Sequence, residues 1–187
     1  MTSQVPAHEM RLAELVLGDE RHRKLLTAVS ELDLPDCWLA AGFVRNLVWD
    51  RLHGRLGLVQ LNDIDVVYFN PGLTEPAVDR RFEAALRERF PAENFSVKNQ
   101  ARMHRRNGHP PYADTGDSIT RWPETCTALG VAWRDGVEIL APFGLSDLFS
   151  LVVRPTATDP ETVALVERRV VAKGWRQRWP RLVFELP

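Results

Sequence analysis

The chain has 187 residues, with 24 Lys and Arg against 25 Asp and Glu, for a formal net charge of −1. At about 150 residues per domain this is one domain's worth of chain, large enough to bury roughly 70% of its unfolded surface without a disulfide or structural metal. A hydrophobic content of 44% and a charged content of 26% exclude a disordered polymer. The near-zero charge excludes a polycation that grips nucleic acid over its whole surface, and leaves a local basic patch open. No stretch approaches the ~18 consecutive apolar residues that would span a bilayer. The first fifteen residues carry acids early and lack the apolar segment of a secretory signal. Cys37 and Cys126 are too few for a disulfide framework and have no zinc-ligand spacing, so they read as inert buried thiols. A reduced, cytoplasmic protein that does not engage membranes is expected.

Leu12, Leu15 and Val16, then Leu25, Leu26, Val29 and Leu32, recur at helical spacing, with a break near Gly18 and Asp19. Pro35 and Asp36 stop that pattern, and residues 37–41 form an apolar run of strand length. From Gly42 the period becomes helical, with Val44, Leu47, Val48 and Leu52 on one stripe and an end near Gly54. Residues 63–69, β-branched and aromatic, read as a strand closed by Asn70-Pro71-Gly72. Residues 75–90 read as an amphipathic helix, 95–101 as a strand and 104–115 as a long loop. Two apolar runs flanking Arg134-Asp135-Gly136 predict a hairpin over 128–141. A short helix is expected over 146–151 and an amphipathic one over 159–173, leading to a Trp-rich tail, 174–187. These elements predict an α/β or α+β fold, a mixed β-sheet with helices packed on it. The expected organisation is a single domain: a core over 36–150, an N-terminal helical segment over 8–33 and a C-terminal helix and tail over 158–187.

The chemistry concentrates where a strand meets small residues, a helix and then a second strand bearing two carboxylates. It reads Leu39-Ala40-Ala41-Gly42-Phe43-Val44-Arg45-Asn46, followed by Asn62-Asp63-Ile64-Asp65-Val66. On a strand Asp63 and Asp65 project from one face, about 7 Å apart along the chain. Two carboxylates that close repel unless a cation sits between them, and hard oxygen ligands of this kind suit magnesium completed by water and phosphate oxygens. Ala41-Gly42 at a helix start leaves backbone N–H groups open to a phosphate. Arg45, one turn in, adds a charge-assisted donor. The combination belongs to phosphoryl or nucleotidyl transfer.

In these residues the sequence resembles the polymerase-β-type nucleotidyltransferase superfamily, whose small-Gly helix start precedes a D-x-D strand. Val44-Arg45-Asn46 is similar to the corresponding step of CCA-adding enzyme head domains. The blocks Val97–His104, Trp122–Thr125, Ala141–Phe149, Lys173–Trp175 and Trp179-Pro180 resemble a family of small bacterial nucleotidyltransferase-like proteins, over about residues 36–182. The resemblance implies a mixed-sheet catalytic fold, a nucleoside triphosphate donor and two divalent metals, taken as Mg2+, held by three carboxylates. Carried onto this chain, it makes Asp63 and Asp65 catalytic metal ligands and Gly42 and Arg45 donor-phosphate residues, with Lys98 and Arg102 lining the site. Glu138, alternating with Val137 and Ile139 on the hairpin, is favoured as third ligand. If strand 95–101 takes that place instead, it offers Lys98, Asn99 and Gln100, and only two carboxylates remain. Ala41 stands where the superfamily has glycine, and is accommodated there if its φ is negative. The acceptor is left open among RNA, protein and small molecules. The alternative function is a non-catalytic nucleotide- or RNA-binding module with a degenerate site.

Lys98, Arg102, His104, Arg105, Arg106 and His109 form the densest basic stretch, either an acceptor-binding lip or a solvated edge. His104 reads as a hydrogen-bonding residue rather than a base. Asp117 and Asp147 read as helix N-terminal residues. Trp38, Trp49 and Trp133 read as core, and Trp175 and Trp179, four apart, as one helical face packing the tail on the body.

Overall fold

Residues 4–57 and 59–186 of a computed structural model are described, so Pro187, the end of the expected tail, lies outside the described residues. Two N-terminal helices, α1 (Gln4–Gly18) and α2 (Glu20–Ser30), occupy the leucine-spaced segment. Asp19 sets the break between them: its carboxylate accepts from the His22 N–H at 3.0 Å and caps α2. Then follow β1 (Trp38–Ala40), α3 (Gly42–Leu52), β2 (Ile64–Tyr68), α4 (Pro76–Arg89) and β3 (Phe95–Asn99). The hairpin is β4 (Gly130–Trp133) and β5 (Val137–Leu140), turned by Asp135 at φ 58°.

The five strands form a mixed sheet in the order β3-β2-β1-β4-β5. β2 and β3 are parallel and joined through α4, and the other neighbours are antiparallel. The alternation of side chains gives the sheet two unlike faces. Leu39, Val66, Val97 and Val131 project into the main core, shared with α1, α2 and α3. Trp38, Ala40, Val67 and Ala132 face a smaller cluster on the other side. Asp65 lies on that second face, in a row with Ser96, Ala40, Gly130 and Leu140. A β-carbon at Gly130 would come within 3.0 Å of the Trp38 β-carbon, so only glycine lets β4 approach β1 there. Beside Asp65, then, the sheet carries the smallest side chains available.

Residues 100–107 depart from expectation. The Asn99 side chain accepts from the Ala101 N–H at 3.1 Å and caps α5 (Gln100–Asn107), which Gly108 ends at φ 69°. Gln100 and Arg102 therefore sit on a helix, not on a strand face with Lys98, and the expected loop contracts to a short connection into α6 (Thr115–Thr120). Asp114, rather than Asp117, caps α6. Trp133, expected in the core, is 39% exposed because it sits at the hairpin's free end.

Beyond α7 (Ser146–Phe149) a second, two-stranded parallel sheet forms from β6 (Val152–Val153) and β7 (Val183–Phe184), too short for periodicity to reveal. Between them lie α8 (Pro160–Ala172) and α9 (Trp175–Arg178). Trp175 and Trp179 pack edge-on against Trp49 at 5.5 and 5.0 Å, and the Trp179 indole N–H donates to Asp50 at 2.7 Å. These contacts fasten the tail to α3. No helix among the described residues is long and apolar enough to cross a membrane.

Candidate active site

The end of β1 makes an unusual turn into α3. Ala41 has φ 53° and ψ −119°, so the negative φ on which an easy accommodation of alanine depended is not met. Its N–H is held by the Leu129 carbonyl at 3.0 Å, and its own carbonyl accepts from Arg45 at 3.0 Å, which fixes the backbone from both sides. A residue with a β-carbon in this region costs about 1–3 kcal/mol, a kind of strain that clusters at ligand sites. The turn aims the N-terminus of α3 into a cavity of about 250 Å3, and the N–H groups of Gly42 and Phe43 find no acceptor among the described residues.

The cavity gathers Gly42, Arg45, Asn46, Asp63 and Asp65 with Arg169 of α8, Lys173 just beyond its end and Arg178 of α9. Asp63 lies in the turn before β2 and Asp65 within the strand, so both reach one space. Neither carboxylate takes a hydrogen bond or ion pair from a described residue. Burial, and next the charge of Asp63, push the Asp65 carboxyl up to about 6. The facing wall is cationic. Arg45 is buried, with its guanidinium 4.6 Å over the Trp175 ring and hydrogen-bonded to Thr127 at 2.8 Å, while its Nε has no partner. Lys173 pairs with no carboxylate among the described residues, and burial, followed by the charges of Arg169 and Arg45, lowers its ammonium. Arg169 is paired with Glu124 and Arg178 with Asp50, the latter at 3.4 Å.

Three other residues expected at the site are elsewhere. Glu138 is exposed on the edge strand β5 and pairs with Arg134 at 2.6 Å. Three strand spacings separate β5 from β2, about 14 Å, so the expectation that Glu138 completes a carboxylate trio fails. Among the described residues no group of three or more His, Cys, Asp or Glu stands ready to hold a metal. Lys98 pairs with Glu83 at 2.7 Å, and Arg102 with the buried Asp79. Both serve the free edge of β3, where Glu83 and Asp79 also accept the Val97 and Asn99 N–H groups. Neither lines the cavity. Sequence reasoning assigned no site role to Arg169, Lys173 or Arg178; Lys173 lay in a block that resembled the family, and the two arginines carried no local motif. Only the docking of the tail through Trp175 and Trp179 brings them over α3.

A glycine-led helix start, two free carboxylates at the beginning of the adjoining strand and a cationic wall, on a mixed sheet, define a nucleotidyltransferase-type site. The comparisons agree. A family model described as nucleotidyltransferase matches residues 27–184, and the chain belongs to that family. A protein whose NMR structure reveals a CCA-adding enzyme head domain is 32% identical, with a TM-score of 0.83 over 95% of this chain and 96% of that one. The Thermotoga maritima CCA-adding enzyme complexed with tRNA is 19% identical, with a TM-score of 0.58 over 93% of this chain. That likeness is one of fold, and this chain spans 42% of the larger enzyme. No curated protein sequence matches.

Proposed function

We propose that the chain moves a nucleoside monophosphate from a nucleoside triphosphate to an acceptor hydroxyl in the cavity between β2, α3 and α8. One observation carries this reading: the two carboxylates and the facing Lys173 share one space, and none of them is paired with a described residue. Charges of both signs left uncompensated fit a ligand that is itself a divalent cation with a polyanion.

Asp63 and Asp65 fit magnesium, which needs only one or two protein carboxylates when phosphate and water complete its shell. Burial, and next the charge of Asp63, raise the Asp65 carboxyl, and a cation between the two aspartates would offset that cost. When bound, the metal offsets phosphate charge and eases ionisation of the attacking hydroxyl. The chain's own residues supply the remainder. The Gly42 and Phe43 N–H groups and the α3 dipole hold donor phosphate oxygens. Arg45 is held between Trp49 and Trp175 and lends its charge to the donor phosphates from a fixed position. Lys173 neutralises charge gathering on the departing pyrophosphate. The acceptor oxygen forms a bond to the α-phosphorus, the bond from that phosphorus to the bridging oxygen breaks, pyrophosphate leaves, and the hydroxyl proton goes to solvent.

A binding module is the second reading, favoured by the lack of a third carboxylate among the described residues. Purified protein, labelled triphosphates and magnesium, offered RNA, protein and metabolite pools, separate the two. Transfer of label that is lost in Asp63→Asn supports the enzyme. Magnesium-dependent triphosphate binding without transfer to any pool supports the module. Binding unaltered in a variant carrying both Asp63→Asn and Asp65→Asn overturns the site.

A further inference from the structure

We infer that His22 is a positioning residue for the donor site: its ring pins the first turn of α3 from outside the aspartate cavity, so that the Gly42 and Phe43 N–H groups stay aimed into it. This rests on the transferase reading and goes beyond it, since His22 does not line that cavity.

His22 is fully buried on α2, and its two ring nitrogens meet two different neighbours. Nε2 lies 3.0 Å from the backbone carbonyl of Phe43, and Nδ1 lies 2.8 Å from Asp19 Oδ1. A carbonyl oxygen can only accept, so Nε2 carries a hydrogen and donates it. Asp19 is anionic, because the hydrogen bond from His22, against the opposing effect of burial, holds its carboxyl well below the usual carboxylate range. The same carboxylate accepts the His22 N–H at 3.0 Å and, on Oδ2, the Arg51 guanidinium at 2.6 Å. The ring is therefore fixed at the cap of α2, which Arg51 ties to α3, and reaches α3 again through Phe43. Its centroid stands 4.5 Å from that of the Phe43 ring, which holds its plane. A ring with two polar atoms is a costly way to fill a core lined by Leu25 and Leu26, and each atom needs a partner.

The first turn of α3 has a use for such an anchor. Ala41 stands at φ 53°, a conformation that persists only where the surroundings over-determine it. Bonds to Leu129 and from Arg45 grip Ala41 itself. Among the described residues, no side chain other than His22 hydrogen-bonds to the backbone of residues 41–44. Helix carbonyls point away from the N-terminus and the N–H groups toward it. A donor on the Phe43 carbonyl thus holds the turn by its far side and leaves the N–H groups at the tip free for phosphate. Without that hold, strain at Ala41 is relieved by rotation of the turn, which swings both N–H groups off the donor.

The test divides the ring's two contacts between two amides. Glutamine places its amide nitrogen near Nε2 and asparagine near Nδ1, so His22→Gln keeps the bond to Phe43 and His22→Asn the bond to Asp19. In calorimetric titration with magnesium–ATP, His22→Gln is expected within about threefold of the parent and His22→Asn about tenfold weaker, the loss of one buried hydrogen bond. A ring that serves only the α2 cap gives the reverse order. Equal affinities, or a greater loss in His22→Gln, overturn the inference and leave the donor site standing. Urea unfolding records the stability of each variant separately. A second readout needs no asparagine variant: in an Asp65→Asn background, the amide 15N–1H signals of Gly42 and Phe43 are expected to move with the His22 ring signals as pH is varied, and to stand still in His22→Gln. Signals that ignore the ring overturn the inference whether or not His22→Asn folds. A parent that binds no ATP would sink the donor reading alone, and the amide signals would still decide the role of His22.

Discussion

Asp65→Asn should make the protein more stable in the absence of divalent cations, and the gain should depend on pH. Burial and the neighbouring Asp63 lift the Asp65 carboxyl from 3.8 to about 6. Between those values the folded protein holds a proton that the unfolded chain has released. Stability therefore falls as pH rises through that window and stays low above it. At about 1.4 kcal/mol for each pH unit of displacement, the charged carboxylate costs about 3 kcal/mol at pH 8. The asparagine variant avoids that cost, so in chelator it should exceed the parent by about 2–3 kcal/mol at pH 8 and match it near pH 4. Magnesium should close the gap from the parent's side, because a cation bound only to the folded state adds about 2.7 kcal/mol at a hundred times its Kd. Urea unfolding at pH 4, 6 and 8, with chelator and with magnesium, measures all of this. A difference independent of pH, or equal stabilisation of both proteins by magnesium, would refute the argument that Asp65 is a buried charge awaiting a cation.

Gly42→Ala should fold normally, since the added β-carbon meets the Arg45 Nη2 at 3.5 Å, an ordinary contact. It should nonetheless weaken magnesium–ATP binding about tenfold, because that carbon enters the space where phosphate approaches the backbone; thermal unfolding and calorimetric titration report the two effects separately. Glu138→Ala should change stability by less than about 1 kcal/mol and leave magnesium and nucleotide titrations unaltered, as expected for an exposed pair with Arg134. Arg102→Ala should cost about 2–3 kcal/mol in urea unfolding by leaving the buried Asp79 carboxylate with only Tyr68 and the Asn99 N–H, while nucleotide affinity holds.

Much of the sheet and half of the cavity were legible in the sequence, and each has a local cause. β1 and β2 show as short apolar or β-branched runs bounded by turn residues, and Asp65 takes the face opposite Val66 by the alternation of strand side chains. Gly42 and Asp63 lie close to chain segments whose order alone suggests a cradle. The errors fall where a single side chain overrides a pattern. Asn99 ends a strand by capping the next helix, which turned Arg102 from a cavity residue into a partner for Asp79. Glu138 sits at an alternating position that says which face it occupies and nothing of how many strands lie between it and Asp65. Ala41 shows the limit of substitution logic, since alanine was to be accommodated there by a negative φ, yet hydrogen bonds to Leu129 and from Arg45 hold it at 53°.

The cationic wall was illegible for another reason. Arg169, Lys173 and Arg178 lie more than a hundred residues from Asp65 in the chain, on α8, just beyond it and on α9, where nothing in their spacing points to the aspartates. Their role depends on Trp175 and Trp179 meeting Trp49, a contact between the tail and the middle of α3. The same contact sandwiches Arg45 and roofs the cavity. The tail thus completes a cavity whose motif residues all precede residue 66, and the tryptophans that first read as packing alone are what brings Arg169, Lys173 and Arg178 to the carboxylate pair.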